Sequence, residues 1–127
     1  MTRILLAEDN EMNREVLSRR LLRRGYEVVE AVDGAEAIEA ALADPPALIL
    51  MDLSMPNVDG WEATARLRES PEMANTPIVA LTAHAIRSDR DRAIECGCNA
   101  VLTKPFTTAE LFEMLDRFLP NDTDTGE

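Results

Sequence analysis

With 127 residues, the chain suits one domain with a core of its own and leaves no room for a second of ordinary size. Its formal net charge of −11 disfavours direct contact with nucleic acid or an anionic membrane, since both present negative charge. Apolar residues make up 46% of it, yet no apolar run approaches the ~18 residues of a membrane span, and Met1-Thr2-Arg3 leads into a short apolar run without the layout of a signal peptide.

Short apolar runs alternate with helical stretches. Ile4–Ala7 is apolar throughout and reads as a strand covered on both faces. A helix follows over about Met12–Arg24, with Asn10 as its cap and Arg23, Arg24 and Gly25 at its end. Tyr26–Glu30 is mixed and is expected at a sheet edge. The second helix begins at Asp33, with Glu36 three residues on as a capping box, and stops before Pro45. Ala47–Met51 is the next buried strand, and Asp59 with Glu62 repeats the capping device for a third helix that carries Trp61, expected to pack half-buried. After the strand Ile78–Leu81 comes a helix near Arg87–Cys96 that ends at Gly97. Cys96 and Cys98 are one residue apart, which is neither redox nor zinc spacing, so they read as reduced thiols of a cytosolic chain. The strand Ala100–Leu102 precedes a helix capped by Thr107 and Glu110, whose Leu111, Met114, Leu115 and Phe118 form a buried stripe. The polar, acidic tail Asn121–Glu127 is expected to be disordered, which places the domain over residues 1–120. Strand–helix units in this alternation predict an α/β fold, a five-stranded parallel doubly wound sheet with helices on both faces and right-handed crossovers.

Polar residues gather at one edge of that scaffold. Glu8 and Asp9 fall just after the first strand, Asp52 closes the third, Thr82 closes the fourth and Lys104 follows the fifth. In open α/β sheets the carboxyl ends of strands are where ligands bind. Three converging carboxylates repel one another, and a hard divalent cation with water left in its shell, such as Mg2+, resolves the repulsion. Asp9 and Asp52 are the expected direct ligands, Glu8 a ligand through water, and the Ser54 backbone carbonyl a further donor. Lys104 is then free to pair with Asp52 or with a phosphoryl oxygen on it, and Thr82 offers a hydroxyl to another. Cations and an aligned donor are what phosphoryl transfer requires, and a carboxylate can be the nucleophile; Asp52 is the central one.

Four motifs carry a family resemblance. They are Ile4-Leu5-Leu6-Ala7-Glu8-Asp9-Asn10, then Leu50-Met51-Asp52-Leu53-Ser54-Met55-Pro56 running on to Asp59-Gly60, then Pro77-Ile78-Val79-Ala80-Leu81-Thr82-Ala83, and Leu102-Thr103-Lys104-Pro105-Phe106. In this order and spacing the chain resembles the receiver domain of two-component response regulators, a CheY-like, flavodoxin-like three-layer sandwich. The resemblance spans residue 4 to about 119. It implies strand order 2-1-3-4-5, phosphorylation of Asp52 by a histidine kinase or a histidine phosphotransfer protein, self-catalysed loss of that phosphate rather than turnover as an enzyme, and a cis bond at Lys104-Pro105. It also implies that Ser54 and His84 flank the phosphate and tune its lifetime, while the small Ala83 leaves the phosphoryl group room. Output would pass to a downstream protein through the face of the fourth helix, fifth strand and fifth helix, from a cytoplasmic monomer or weak dimer. The Arg19-Arg20 and Arg23-Arg24 pairs lie on the helix that often meets the phosphodonor in this family. One position departs from the pattern: Val101 stands where Tyr or Phe is usual, so no aromatic switch is expected there.

Three rivals remain. A phosphatase with an Asp nucleophile wants a second Asp two residues on, where Ser54 stands. A flavin protein wants a Ser/Thr/Gly-rich phosphate loop after the first strand, where Glu8, Asp9 and Glu11 would repel the anion. The third is a receiver-like scaffold that binds partners and is not phosphorylated.

Overall fold

The computed structural model describes residues 2–55, 57–83 and 87–119. In chain order its elements are β1 (Arg3–Ala7), α1 (Glu11–Arg23), β2 (Glu27–Ala31), α2 (Gly34–Ala43), β3 (Leu48–Asp52), α3 (Gly60–Arg68), β4 (Ile78–Thr82), α4 (Arg87–Cys96), β5 (Ala100–Thr103) and α5 (Thr108–Phe118). A short 3-10 turn over Pro71–Met73, which the periodicity did not announce, leads into β4. Every strand pairing is parallel, and the order across the sheet is β2-β1-β3-β4-β5, as the resemblance implies.

Alternate residues of the central strands feed two cores. Leu5, Ala7, Ile49, Met51, Ile78 and Ala80 pack against α2, α3 and α4 through small side chains such as Ala37, Ala41, Ala63 and Ala93. Ile4, Leu6, Leu48, Leu50, Val79 and Leu81 face the other way and meet Leu17 and Leu21 of α1 and Leu111 and Leu115 of α5. Each of these leucines contributes about 1.5–3 kcal/mol relative to an exposed one. On α5 the stripe is narrower than the spacing predicts, because Met114 and Phe118 are only half-buried.

The edges of the sheet differ. β2 leaves Glu27 and Glu30 exposed, as its mixed composition predicts. β5 is the other edge, although its apolar run reads like a central strand. Val101 joins the core that holds Ala93 of α4, and Leu102 joins the core that holds Leu111 and Leu115 of α5, so one flanking helix covers each face.

The caps tie sequence to element ends. Asn10, Asp33, Asp59 and Thr107 each accept a backbone N–H three residues on, relieving an orphan donor of the first turn. Of these four caps, only Thr107 with Glu110 closes a reciprocal box. The Glu36 carboxylate accepts Val32 N–H at 2.9 Å, and Glu62 pairs with Arg66 along α3. α4 stops at Gly97, whose φ of 122° favours glycine, and a Cβ there would also press on the Arg68 side chain. Trp61 is half-buried, with the Arg92 guanidinium 4.3 Å above its ring. Cys96 and Cys98 are free, half-buried and buried in turn. Burial pushes the Cys98 thiol up to about 12, which keeps it protonated.

Candidate functional site

Four strand ends deliver the polar residues to one place. Glu8 continues β1, its N–H donating to Ala31 O at 3.0 Å, and its side chain is buried. Asp9, next in the chain, is exposed. Asp52 is the last residue of β3, buried, and paired in register with Leu81 of β4. Thr82 is the buried last residue of β4. Lys104 N–H donates to Thr82 O at 2.7 Å, which seats the lysine just beyond β5.

The side chains converge. Carboxylate oxygens of Glu8, Asp9 and Asp52 all lie within 4.8 Å of one another. Lys104 Nζ reaches between two of them, 2.9 Å from Glu8 Oε1 and 3.0 Å from Asp52 Oδ2. The other oxygens are held by backbone: Asp52 Oδ1 accepts Ser54 N–H at 2.9 Å, and Glu8 Oε2 accepts Asn10 N–H at 3.2 Å. Burial, and then the Asp52 carboxylate beside it, push the Glu8 carboxyl up to about 7 against the opposing pull of Lys104. Burial alone would lower the Lys104 ammonium, but its hydrogen bonds to Glu8 and Asp52 outweigh that and raise it. One half-buried cation thus serves two carboxylates, while three oxygen donors at this spacing suit a hard divalent cation.

The pairing of Lys104 with Glu8 as well as Asp52 was not foreseen. Ser54 is exposed, and Ala83 is exposed at the rim of a cavity of about 470 Å3 that Glu8, Lys104, Pro105 and Phe106 also border. The Lys104–Pro105 peptide bond is cis. Val101 is buried in the core, and Phe106, half-buried, borders the cavity. His84 lies outside the described residues, as does the tail from residue 120.

Two contacts that shape the site were not foreseen. Gly60 opens α3 directly against the end of β3: a Cβ there would fall well inside van der Waals distance of Asp52 O and 2.7 Å from Leu53 Cα. The Asp59-Gly60 pair was visible as a motif, and the close approach of two backbones is its physical reason. Arg14 donates to the carbonyl oxygens of Glu8 and Asp9 at 2.9 and 3.5 Å, a contact with no sequence signal.

Residues 4–116 match the family model of the response regulator receiver domain. The chain belongs to that family. It is 34% identical over 116 residues to the polar-differentiation response regulator DivK of Brucella anthropi, covering 91% of this chain and 94% of that protein. DivK of Brucella ovis matches to the same extent. Among solved structures, the chemotaxis protein CheY4 of Vibrio cholerae superimposes with a TM-score of 0.89 at 31% identity, covering 94% and 99% of the two chains. The receiver domain of the sensor histidine kinase PA1611 from Pseudomonas aeruginosa PAO1, solved with magnesium coordinated in its active-site cleft, gives 0.87 at 39% identity over 92% and 96%. The chain is therefore a response-regulator receiver domain with the CheY-like fold, of a family that accepts phosphoryl groups, binds Mg2+ and meets histidine kinases or phosphotransfer proteins and downstream targets. Among its described residues no helix is long and apolar enough to cross a membrane.

Proposed function

We propose that Asp52 is the phosphoacceptor of a histidine-to-aspartate relay. The observation that carries this is its position: a buried carboxylate at a strand end, 3.0 Å from Lys104 Nζ and within 4.8 Å of the Glu8 and Asp9 oxygens. An Asp52 oxygen attacks the phosphorus of a phosphohistidine, the new P–O bond forming as the P–N bond breaks. Lys104 leaves its carboxylate partners to meet one phosphoryl oxygen, and the Thr82 hydroxyl donates to another, both matching charge on the equatorial oxygens.

The donor set fits Mg2+. Asp9 and Asp52 would hold it directly, Glu8 through water, and the Ser54 carbonyl would complete the protein ligands; the ion would supply charge neutralisation for the incoming phosphoryl group. Ala83 leaves room for that group, and Ser54, with His84 by the family resemblance, sets its lifetime. The partner upstream is a histidine kinase or a histidine phosphotransfer protein in the cytoplasm. Downstream, a target protein binds the face of α4, β5 and α5, with the signal leaving through the loop after Thr82, since Val101 is no aromatic switch. The working unit is residues 1–120 as a monomer or weak dimer.

Incubation with Mg2+ and acetyl phosphate, read by intact mass, tests this. The chain gains one phosphoryl mass, and loses the gain without Mg2+ or in Asp52→Ala. If neither acetyl phosphate nor beryllofluoride with Mg2+ alters the wild type, the reading gives way to a partner-binding scaffold that is not phosphorylated.

A further inference from the structure

We propose that Arg14 is the positioning residue of the acidic loop, and that Glu30 and Ser18 form the bracket that aims it. This rests on the Mg2+-binding reading above.

Glu8 and Asp9 lie past the end of the β1 ladder, where strand pairing no longer satisfies carbonyl groups. Arg14, one turn into α1, reaches back to both: its Nη1 donates to Glu8 O at 2.9 Å and to Asp9 O at 3.5 Å. Its side chain is only 15% exposed, and its Nε faces Glu30 Oε1 of β2 at 3.6 Å. The other oxygen of Glu30 accepts the Ser18 hydroxyl, one turn further along α1. A chain of contacts therefore runs from Ser18 through Glu30 and Arg14 to the backbone carbonyls of the acidic pair itself.

The ion pair itself contributes little stability, because Glu30 is 45% exposed. Its consequence is directional. With its Nε edge turned to Glu30 at 3.6 Å, the planar guanidinium presents Nη1 to the loop carbonyls in a fixed geometry that a flexible ammonium lacks. The remaining loop atoms are already tied: Glu8 N–H to β2, Asn10 N–H to Glu8 Oε2, and Asn10 Oδ1 to the first turn of α1. Arg14 adds a tie at the two carbonyls, so the loop is held with Glu8 and Asp9 beside Asp52 before a cation arrives. Such supporting contacts typically carry 10–100-fold of a site's metal affinity.

The sign of the effect separates this role from two simpler ones. If Arg14 acted only as a nearby positive charge, its removal would tighten cation binding. If it were only a packing residue, its removal would lower stability and leave cation binding alone. Positioning predicts weaker binding. In Arg14→Gln, calorimetric titration with Mg2+ should show affinity reduced about tenfold. In the metal-free protein, amide exchange at Glu8, Asp9 and Asn10 should accelerate beyond any change in the sheet. Arg14→Lys, which keeps the charge and one donor, should recover part of both effects, and Glu30→Gln should show both more weakly with the fold intact. Unchanged or tighter Mg2+ binding with unchanged loop exchange overturns the proposal. Should the wild type itself fail to bind Mg2+, the functional reading falls, and the exchange measurement on metal-free protein still decides whether Arg14 holds the loop.

Discussion

Glu8 is the residue at which burial and chemistry pull hardest against each other. Its folded carboxyl titrates at about 7 against an ordinary 4.5, burial being the main cause. Between those values the folded chain therefore binds more protons at this site than the unfolded chain does. Stability from this group must then fall as pH rises from about 4.5 to 7 and stay level above. Urea unfolding in EDTA across that window should show the wild type losing stability relative to Glu8→Gln, which carries the neutral shape at every pH. Parallel pH profiles for the two proteins would refute the assignment. The acidic set, Thr82 and Lys104 were legible in the sequence because each follows an apolar run, and a run fixes where its strand ends. Arg14 was not legible. Its contact depends on a side chain turning back from a helix to backbone atoms, and backbone carbonyls leave no trace in residue identity.

At the scale of elements, the apolar runs located every strand to within a residue or two, and the caps located the helix starts. What they could not convey was which neighbour covers a strand: β5 reads as central and lies at an edge, because α4 and α5 supply the burial that a further strand would. Nor could they show how closely α3 meets β3. Gly60 N–H donates to Leu53 O at 3.2 Å, and the space for a Cβ is taken by the backbone of Asp52 and Leu53. Backbone cannot swing aside as a side chain can, so Gly60→Ala must push α3 off the end of β3. The expected cost is about 1–3 kcal/mol in urea unfolding. The displaced strand end carries Asp52, so labelling by acetyl phosphate should slow more than stability alone would explain. A variant with wild-type stability and labelling would mean that α3 moves freely against β3.

For the whole molecule, the question is what a cation does to a chain with a net charge of −11. Two effects would both raise stability. General screening relieves repulsion across the surface and depends only on ionic strength. Specific binding at the Glu8, Asp9 and Asp52 cluster stabilises by mass action, about 2.7 kcal/mol at a concentration 100 times the dissociation constant. For a domain of this size that is a rise in Tm of roughly 10 °C. The two effects separate in one experiment. Mg2+ should raise Tm well beyond KCl at matched ionic strength, and in Asp9→Asn the excess should shrink to little or nothing. That variant should also be more stable than wild type before any cation is added, because one of three crowded carboxylates has lost its charge. If Asp9→Asn kept the full Mg2+ response, the cation would be binding elsewhere on the acidic surface, and the convergence of the strand ends would need another explanation.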